Sequence, residues 1–186
     1  YKGVPMLSVP YADDFESMDY FGTNIVDKGW ELGAPTGTVI SSAYSPATAW
    51  KTNLDGTYAN SQTNVLYTPV FDFINAYNAQ LKFQHWYDTD TLDGGYVQYT
   101  NNGGITWNNL GVINDPSGTN WAPDYVNTGY GWSGHSGGWV ESSIDLSAFN
   151  FNPFGVQFRF IFFSNSIGSN GDGWAIDNFE IYIPQA

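Results

Sequence analysis

Apolar side chains recur along this chain at a spacing of two, in short runs, and rarely at the spacing of three or four that a helix needs. The clearest run covers 156–163, where Val156, Phe158, Phe160 and Phe162 share one face of an extended strand. Gln157 and Arg159 fall on the other face with Ile161 and Phe163, so both faces are expected to be partly covered. A second run, 81–87, puts Leu81, Phe83, His85 and Tyr87 on one face and Lys82, Gln84 and Trp86 on the other. Further strands are predicted over 38–42, 65–68, 96–100, 139–145 and 174–183. Clusters of Gly, Asn, Asp, Ser and Pro separate them. Many short strands joined by long polar loops predict an all-β fold, an antiparallel β-sandwich of jelly-roll type. The whole chain, 1–186, reads as a single module. Its closing Pro-Gln-Ala looks like a linker cut from a larger secreted protein.

Charge narrows the partners. The chain carries 18 acidic and 5 basic residues, a net charge of −13. Nucleic acid binding needs clustered Lys and Arg to displace counterions from phosphate, so it is excluded as an expectation. Anionic membrane surfaces are disfavoured for the same reason, and no apolar run is long enough to span a bilayer. The balance suits a cation or a neutral ligand. With no cysteine, neither disulfides nor thiolate metal sites are available. Low Lys with abundant Asn, Gly, Thr, Tyr and Trp favours a secreted or cell-surface protein.

The acids are not spread evenly. Gly171-Asp172-Gly173-Trp174-Ala175-Ile176-Asp177 sets two carboxylates five residues apart where a glycine-rich loop enters a strand. Asp13-Asp14-Phe15-Glu16 lies near the other end of the chain. Asp14 and Glu16 are expected on one face of a strand. Asp177 begins a strand aimed at the core, where a carboxylate needs a partner. If the two ends pair, Asp14, Glu16, Asp172 and Asp177 surround a hard cation, for which Ca²⁺ is the expectation. The run Asp88-Thr89-Asp90-Thr91-Leu92-Asp93-Gly94-Gly95 offers a weaker site, with Asp93 its best ligand. Its spacing is not that of an EF-hand.

Aromatic rings crowd two long loop regions. Trp121, Tyr125, Tyr130, Trp132 and Trp139 lie in or beside the second, and Tyr44, Trp50 and Tyr58 in the first. Such rings stack on sugar faces or pack beneath their own loops. Trp50, Tyr58, Trp121, Tyr125, Tyr130, Trp132 and His135 are the candidate ligand contacts. His85 reads as a packed residue with one satisfied nitrogen. Thr100-Asn101-Asn102-Gly103-Gly104-Ile105-Thr106-Trp107 resembles an Asp-box, with Asn102 in the Asp place. Its Trp is expected to pack beneath the turn, and no ligand is assigned to it.

Several segments in order carry a resemblance. They are the Asp-Asp-Phe-Glu opening, Gly29-Trp30-Glu31-Leu32-Gly33-Ala34-Pro35, 49–58, 66–73, His85-Trp86-Tyr87, 94–99 and 172–178. Together they resemble the MAM-like jelly-roll modules of secreted bacterial proteins, including those appended to immune-inhibitor-A-type metalloproteases and the cleaved-adhesin domains of gingipains. The resemblance implies a calcium-stabilised sandwich with an adhesive, carbohydrate-binding, protein-binding or accessory role. Its ion ligands would match Glu16 with Asp14 and Asp177 with Asp172. The cysteines of eukaryotic MAM domains are absent, so that kinship is architectural.

The expected function is therefore a non-catalytic binding or adhesion module, monomeric within a multidomain chain, that contacts a neutral glycan or a protein. Two alternatives stand beside it. A jelly-roll glycoside hydrolase would need two carboxylates facing across a cleft. A spacer of a large adhesin would lack a concave aromatic patch. A lyase is disfavoured because Arg159, the only arginine, lies within a strand.

Overall fold

A computed structural model describes residues 6–17, 20–23 and 29–185 of the protein; Ala186 of the linker reading lies outside them. Among the described residues the strands form two sheets. In spatial order the larger sheet runs β1 (Met6–Ser8), β6 (Thr63–Asp72), β14 (Val156–Phe163), β8 (Gly94–Thr100), β12 (Gly129–Trp132) and β11 (Asp124–Val126). Two short strands, β3 (Gly22–Thr23) and β9 (Asn108–Asn109), lie beside β6 and β8. The smaller sheet runs β10 (Gly118–Thr119), β13 (Val140–Asp145), β7 (Gln80–Asp88), β15 (Gly173–Tyr182), β5 (Ala49–Thr52) and β4 (Trp30–Gly33), with β2 (Tyr11–Asp13) beside β15. β1 runs parallel to β6. The ladders that form the centres of both sheets are antiparallel, as the sandwich reading requires.

The period-two faces become the core. Phe158, Phe160 and Phe162 of β14 are fully buried, and Leu81, Phe83 and His85 of β7 face them from the other sheet. Phe83 and Phe160 meet edge-on with centroids 5.1 Å apart. Trp132 and Trp174 pack at 5.9 Å. Each large side chain so buried stabilises by about 1.5–3 kcal/mol. Interlocked rings therefore hold the two sheets together in a chain with no disulfide. Gly95 makes room for this: a Cβ there would lie 2.0 Å from the Trp174 ring. His85 is buried with both nitrogens engaged. Trp174 Nε1–H donates to its Nδ1 at 3.1 Å, so the ring proton sits on Nε2 and points at Ser142 Oγ, 2.8 Å away. Burial holds the ring neutral, pushing its pKa down to about 3.

Two local expectations fail, for one reason. No strand forms over 38–42, and Asp14 and Glu16 do not share a strand face. β2 ends at Asp13, and Phe15 turns to a φ of 60° with its ring buried. In both stretches backbone amides turn toward carboxylates instead of joining a ladder.

Candidate ion and ligand sites

The chain's two ends do meet. β2 pairs with the closing strand β15, Asp13 opposite Phe179 and Ala12 opposite Glu180. β15 also pairs with β5, but only through Ala175 and Ile176. Between these partners its register with β7 shifts after Asp177, and Asn178 takes a φ of 45°. A bulge re-aims its side chains. Here it accompanies a fully buried Asp177 in the gap between β5 and β2.

The loop 37–48 closes over that gap. It meets three carboxylates in succession, each with a pair of adjacent backbone amides. Val39 and Ile40 N–H donate to Asp172 Oδ2 at 2.6 and 2.8 Å. Tyr44 and Ser45 N–H donate to Asp177 Oδ2, both at 2.9 Å. Ala47 and Thr48 N–H donate to Glu16 Oε1 at 3.1 and 2.8 Å. Bonds to charged acceptors are roughly twice as strong as neutral ones, so this loop is fastened by charge where it has no ladder.

Ser45 stands at the centre. Its Oγ lies 3.1 Å from Asp177 Oδ1 and 3.2 Å from the main-chain oxygen of Asp14. A hydroxyl has one proton and can donate to only one of these oxygens at a time. Burial raises the Asp177 pKa against the pull of the Ser45, Asn178 and Tyr44 donors. The amides of Thr48 and Ala47 hold Glu16 below the usual carboxylate range. Among the described residues, no three His, Asp or Glu side chains cluster closely enough to hold an ion by themselves. The oxygens at this point are of mixed origin: carboxylate, hydroxyl and main chain.

Asp172 sits in different surroundings. Lys51 is fully buried, and its Nζ donates to the carbonyls of Asn53 at 2.6 Å and Gly56 at 3.1 Å. Burial pushes the ammonium pKa down to about 8, and Asp172 is its strongest electrostatic support. The Asp172 N–H donates to Asp88 Oδ2 at 2.9 Å, and Asp88 Oδ1 meets His135 Nδ1 at 2.6 Å. Asp93, also buried, is separate again. Its two oxygens accept from Tyr58 O–H at 2.8 Å and Asn165 N–H at 2.7 Å. The five proposed ion ligands thus divide into three groups: Asp14 with Glu16 and Asp177, Asp172 near Lys51, and Asp93 alone.

The loop aromatics divide too. Trp50, Tyr58, Trp121 and Trp132 are buried, so the structure corrects their reading as ligand contacts. Trp132 Nε1–H donates to Asn120 O at 3.0 Å and Trp121 Nε1–H to Leu110 O at 2.9 Å, which lets these indoles sit inside. Tyr125 is 69% exposed and meets Tyr130 edge-on at 5.4 Å. His135 is exposed. Sequence reasoning missed Lys51, Ser45 and Trp107. The Asp-box turn forms, with Asn102 Oδ1 accepting the Thr106 N–H at 3.0 Å. Its Trp107 is only half-buried and carries the Arg159 guanidinium over its ring, 4.1 Å from the centroid.

With this geometry in hand, comparison with known proteins bears on the fold. No family model matches the chain. The K1 cleaved adhesin domain of Lys-gingipain from Porphyromonas gingivalis W83 superposes with a TM-score of 0.52 at 17% identity, covering 95% of this chain and 99% of that domain. The fold is that of a cleaved adhesin domain. The K3 domain of the same protein gives a TM-score of 0.50 at 16% identity, covering 94% of this chain and 98% of that one. In sequence, the chain is 30% identical over 179 residues, 94% of its length, to part of Bacillopeptidase F of Bacillus subtilis (strain 168). It spans 11% of that relative's length. The resemblance to adhesin-like modules appended to proteases is borne out. No helix among the described residues is long and apolar enough to cross a membrane.

Proposed function

We propose that this chain is a non-catalytic binding module of a secreted, multidomain protein, ordered by a calcium ion and contacting a neutral glycan or a protein. The accessory role is supported by the adhesin-domain fold and by the similarity to a segment of a peptidase. One observation carries the ion. Asp177 and the Asp14 carbonyl converge on a single hydroxyl that has one proton for the two, and the same loop holds Glu16 through the neighbouring amides of Ala47 and Thr48. These residues fit a hard cation, which takes several oxygens of mixed origin. Asp177, Glu16, the Asp14 main-chain oxygen and Ser45 would hold it, and the ion would supply the positive charge that this buried carboxylate lacks.

Calorimetric titration of chelator-stripped protein with calcium chloride tests the reading. Binding of calcium, lost in Asp177→Asn, is expected. Heats no larger than dilution would overturn the ion.

A further inference from the structure

The outer face of the larger sheet carries a groove that the loop aromatics do not reach. We propose that it binds a neutral polysaccharide, with Trp107, Tyr67 and Tyr20 as its stacking walls. This rests on reading the chain as a binding module and names the site and ligand class.

The geometry starts from strand alternation. On β6, Leu66 enters the core and Tyr67 turns outward; on β14, Phe158 and Phe160 enter and Arg159 turns outward. Above them two cavities, of about 460 and 350 Å³, share Gly103 and Gln157 in their linings. They adjoin at these residues, two parts of the proposed trough on the sheet face. Tyr20, Tyr67 and Trp107 line the first over a floor of Thr68 and Gln157, whose polar groups bond the main chain. The exposed Tyr20 phenol and the exposed Asn101 amide of the second cavity supply the hydroxyl and amide.

Two of the three rings, Trp107 and Tyr67, are held in place before any ligand arrives. The Asp-box fixes the hairpin that bears Trp107 through Thr106 N–H to Asn102 Oδ1 and Asn102 Nδ2 to Thr106 Oγ1, at 3.0 and 2.8 Å. Arg159 lies on the indole and is itself anchored by Nε and Nη2 donating to Gln98 Oε1 at 3.0 and 2.6 Å. Tyr67 packs against Trp107 at 5.8 Å. A wall already ordered loses little entropy on binding.

Charge identifies the ligand. The chain has 18 acidic residues, yet no charged residue lines either cavity among the described residues. The one guanidinium beside the trough is already engaged. An acidic polysaccharide would meet a net charge of −13 and, among the described residues, no cation in the lining. A glycosidase would need carboxylates across the trough, and none line it among the described residues. Aromatic faces flanked by amides and hydroxyls match a sugar, whose ring faces are apolar and whose rim is made of hydroxyls.

Affinity electrophoresis tests this, using gels cast with galactomannan, xyloglucan, mixed-linkage β-glucan or polygalacturonate. Retardation by at least one neutral polymer is expected. Trp107→Ala should weaken it about tenfold, the loss of one stacked ring. Gly22→Glu provides a second variant. Gly22 lines the trough opposite Tyr67, and a Cβ there meets nothing within 4 Å, so a carboxylate can be added at this wall without a clash at Cβ. It should abolish retardation while the thermal melt stays unchanged. Tyr125→Ala, at the far loop, should have no effect. Retardation that survives both trough variants but is lost in Tyr125→Ala overturns this site and leaves the binding-module reading standing. No retardation by any neutral polymer, or retardation by polygalacturonate alone, overturns the glycan itself.

Discussion

Asp172 and Asp177 are both buried carboxylates on the approach to and within the closing strand, five residues apart, and both accept two backbone amides from the same loop. They differ in what balances their charge. Asp172 has Lys51, an ammonium buried in a cage of main-chain carbonyls. Asp177 has hydrogen-bond donors but, among the described residues, no basic partner; Lys82, on the neighbouring β7, is committed to Glu180 at 3.0 Å. A buried ionised carboxylate without a countercharge is costly. On the proposed reading, the difference marks where an external cation would be needed and where the chain already carries its own.

Four changes sharpen or break that contrast. The largest effect is expected from Lys51→Met. It leaves the Asn53 and Gly56 carbonyls without their donor and Asp172 without its cation, and should cost roughly 3–4 kcal/mol in urea denaturation. Asp177→Asn comes next. In calcium buffer it should lose about 2–3 kcal/mol, the stabilisation from a ligand near a hundredfold over its Kd. In chelator the loss should be smaller, because the Asn oxygen still accepts from Tyr44 and Ser45. Asp172→Asn keeps its amide pair and should cost about 1 kcal/mol with or without calcium. A large calcium-dependent loss there would break the contrast.

The remaining test is a slope with pH. Lys51 titrates near 8 when folded and near 10.5 when unfolded. Between those values the unfolded chain holds the proton and the folded chain does not. Stability of the wild type relative to Lys51→Met should therefore rise as pH climbs through that window and stay flat below it. A falling difference in denaturation midpoints would contradict the burial of the ammonium.

The fold was legible where one side of a strand had to be apolar. The runs 156–163 and 81–87 became β14 and β7 with the expected faces buried. The meeting of Asp13-Asp14-Phe15-Glu16 with the closing strand was legible as well. The loop 37–48 was not. Thr38, Val39 and Ile40 favour extended backbone locally, and the distant Asp172 turns the amides of Val39 and Ile40 aside. Ring counts misled for a related reason. Trp121 and Trp132 are buried because main-chain oxygens across the loops receive their N–H groups, a pairing no local pattern reveals. Trp107 did leave a signal. Gln157 and Arg159 alternate onto the face opposite the core, and a polar stretch on an otherwise apolar strand marks a face that meets something other than the core.

The most direct measurement is the calcium-induced change in Tm, read side by side for the wild type, Asp172→Asn and Asp177→Asn after chelator treatment. Calcium should raise Tm by about 5–10 °C in the wild type, do the same in Asp172→Asn, and leave Asp177→Asn unmoved. An equal rise in all three proteins, or none in the wild type, would contradict a cation at Asp177.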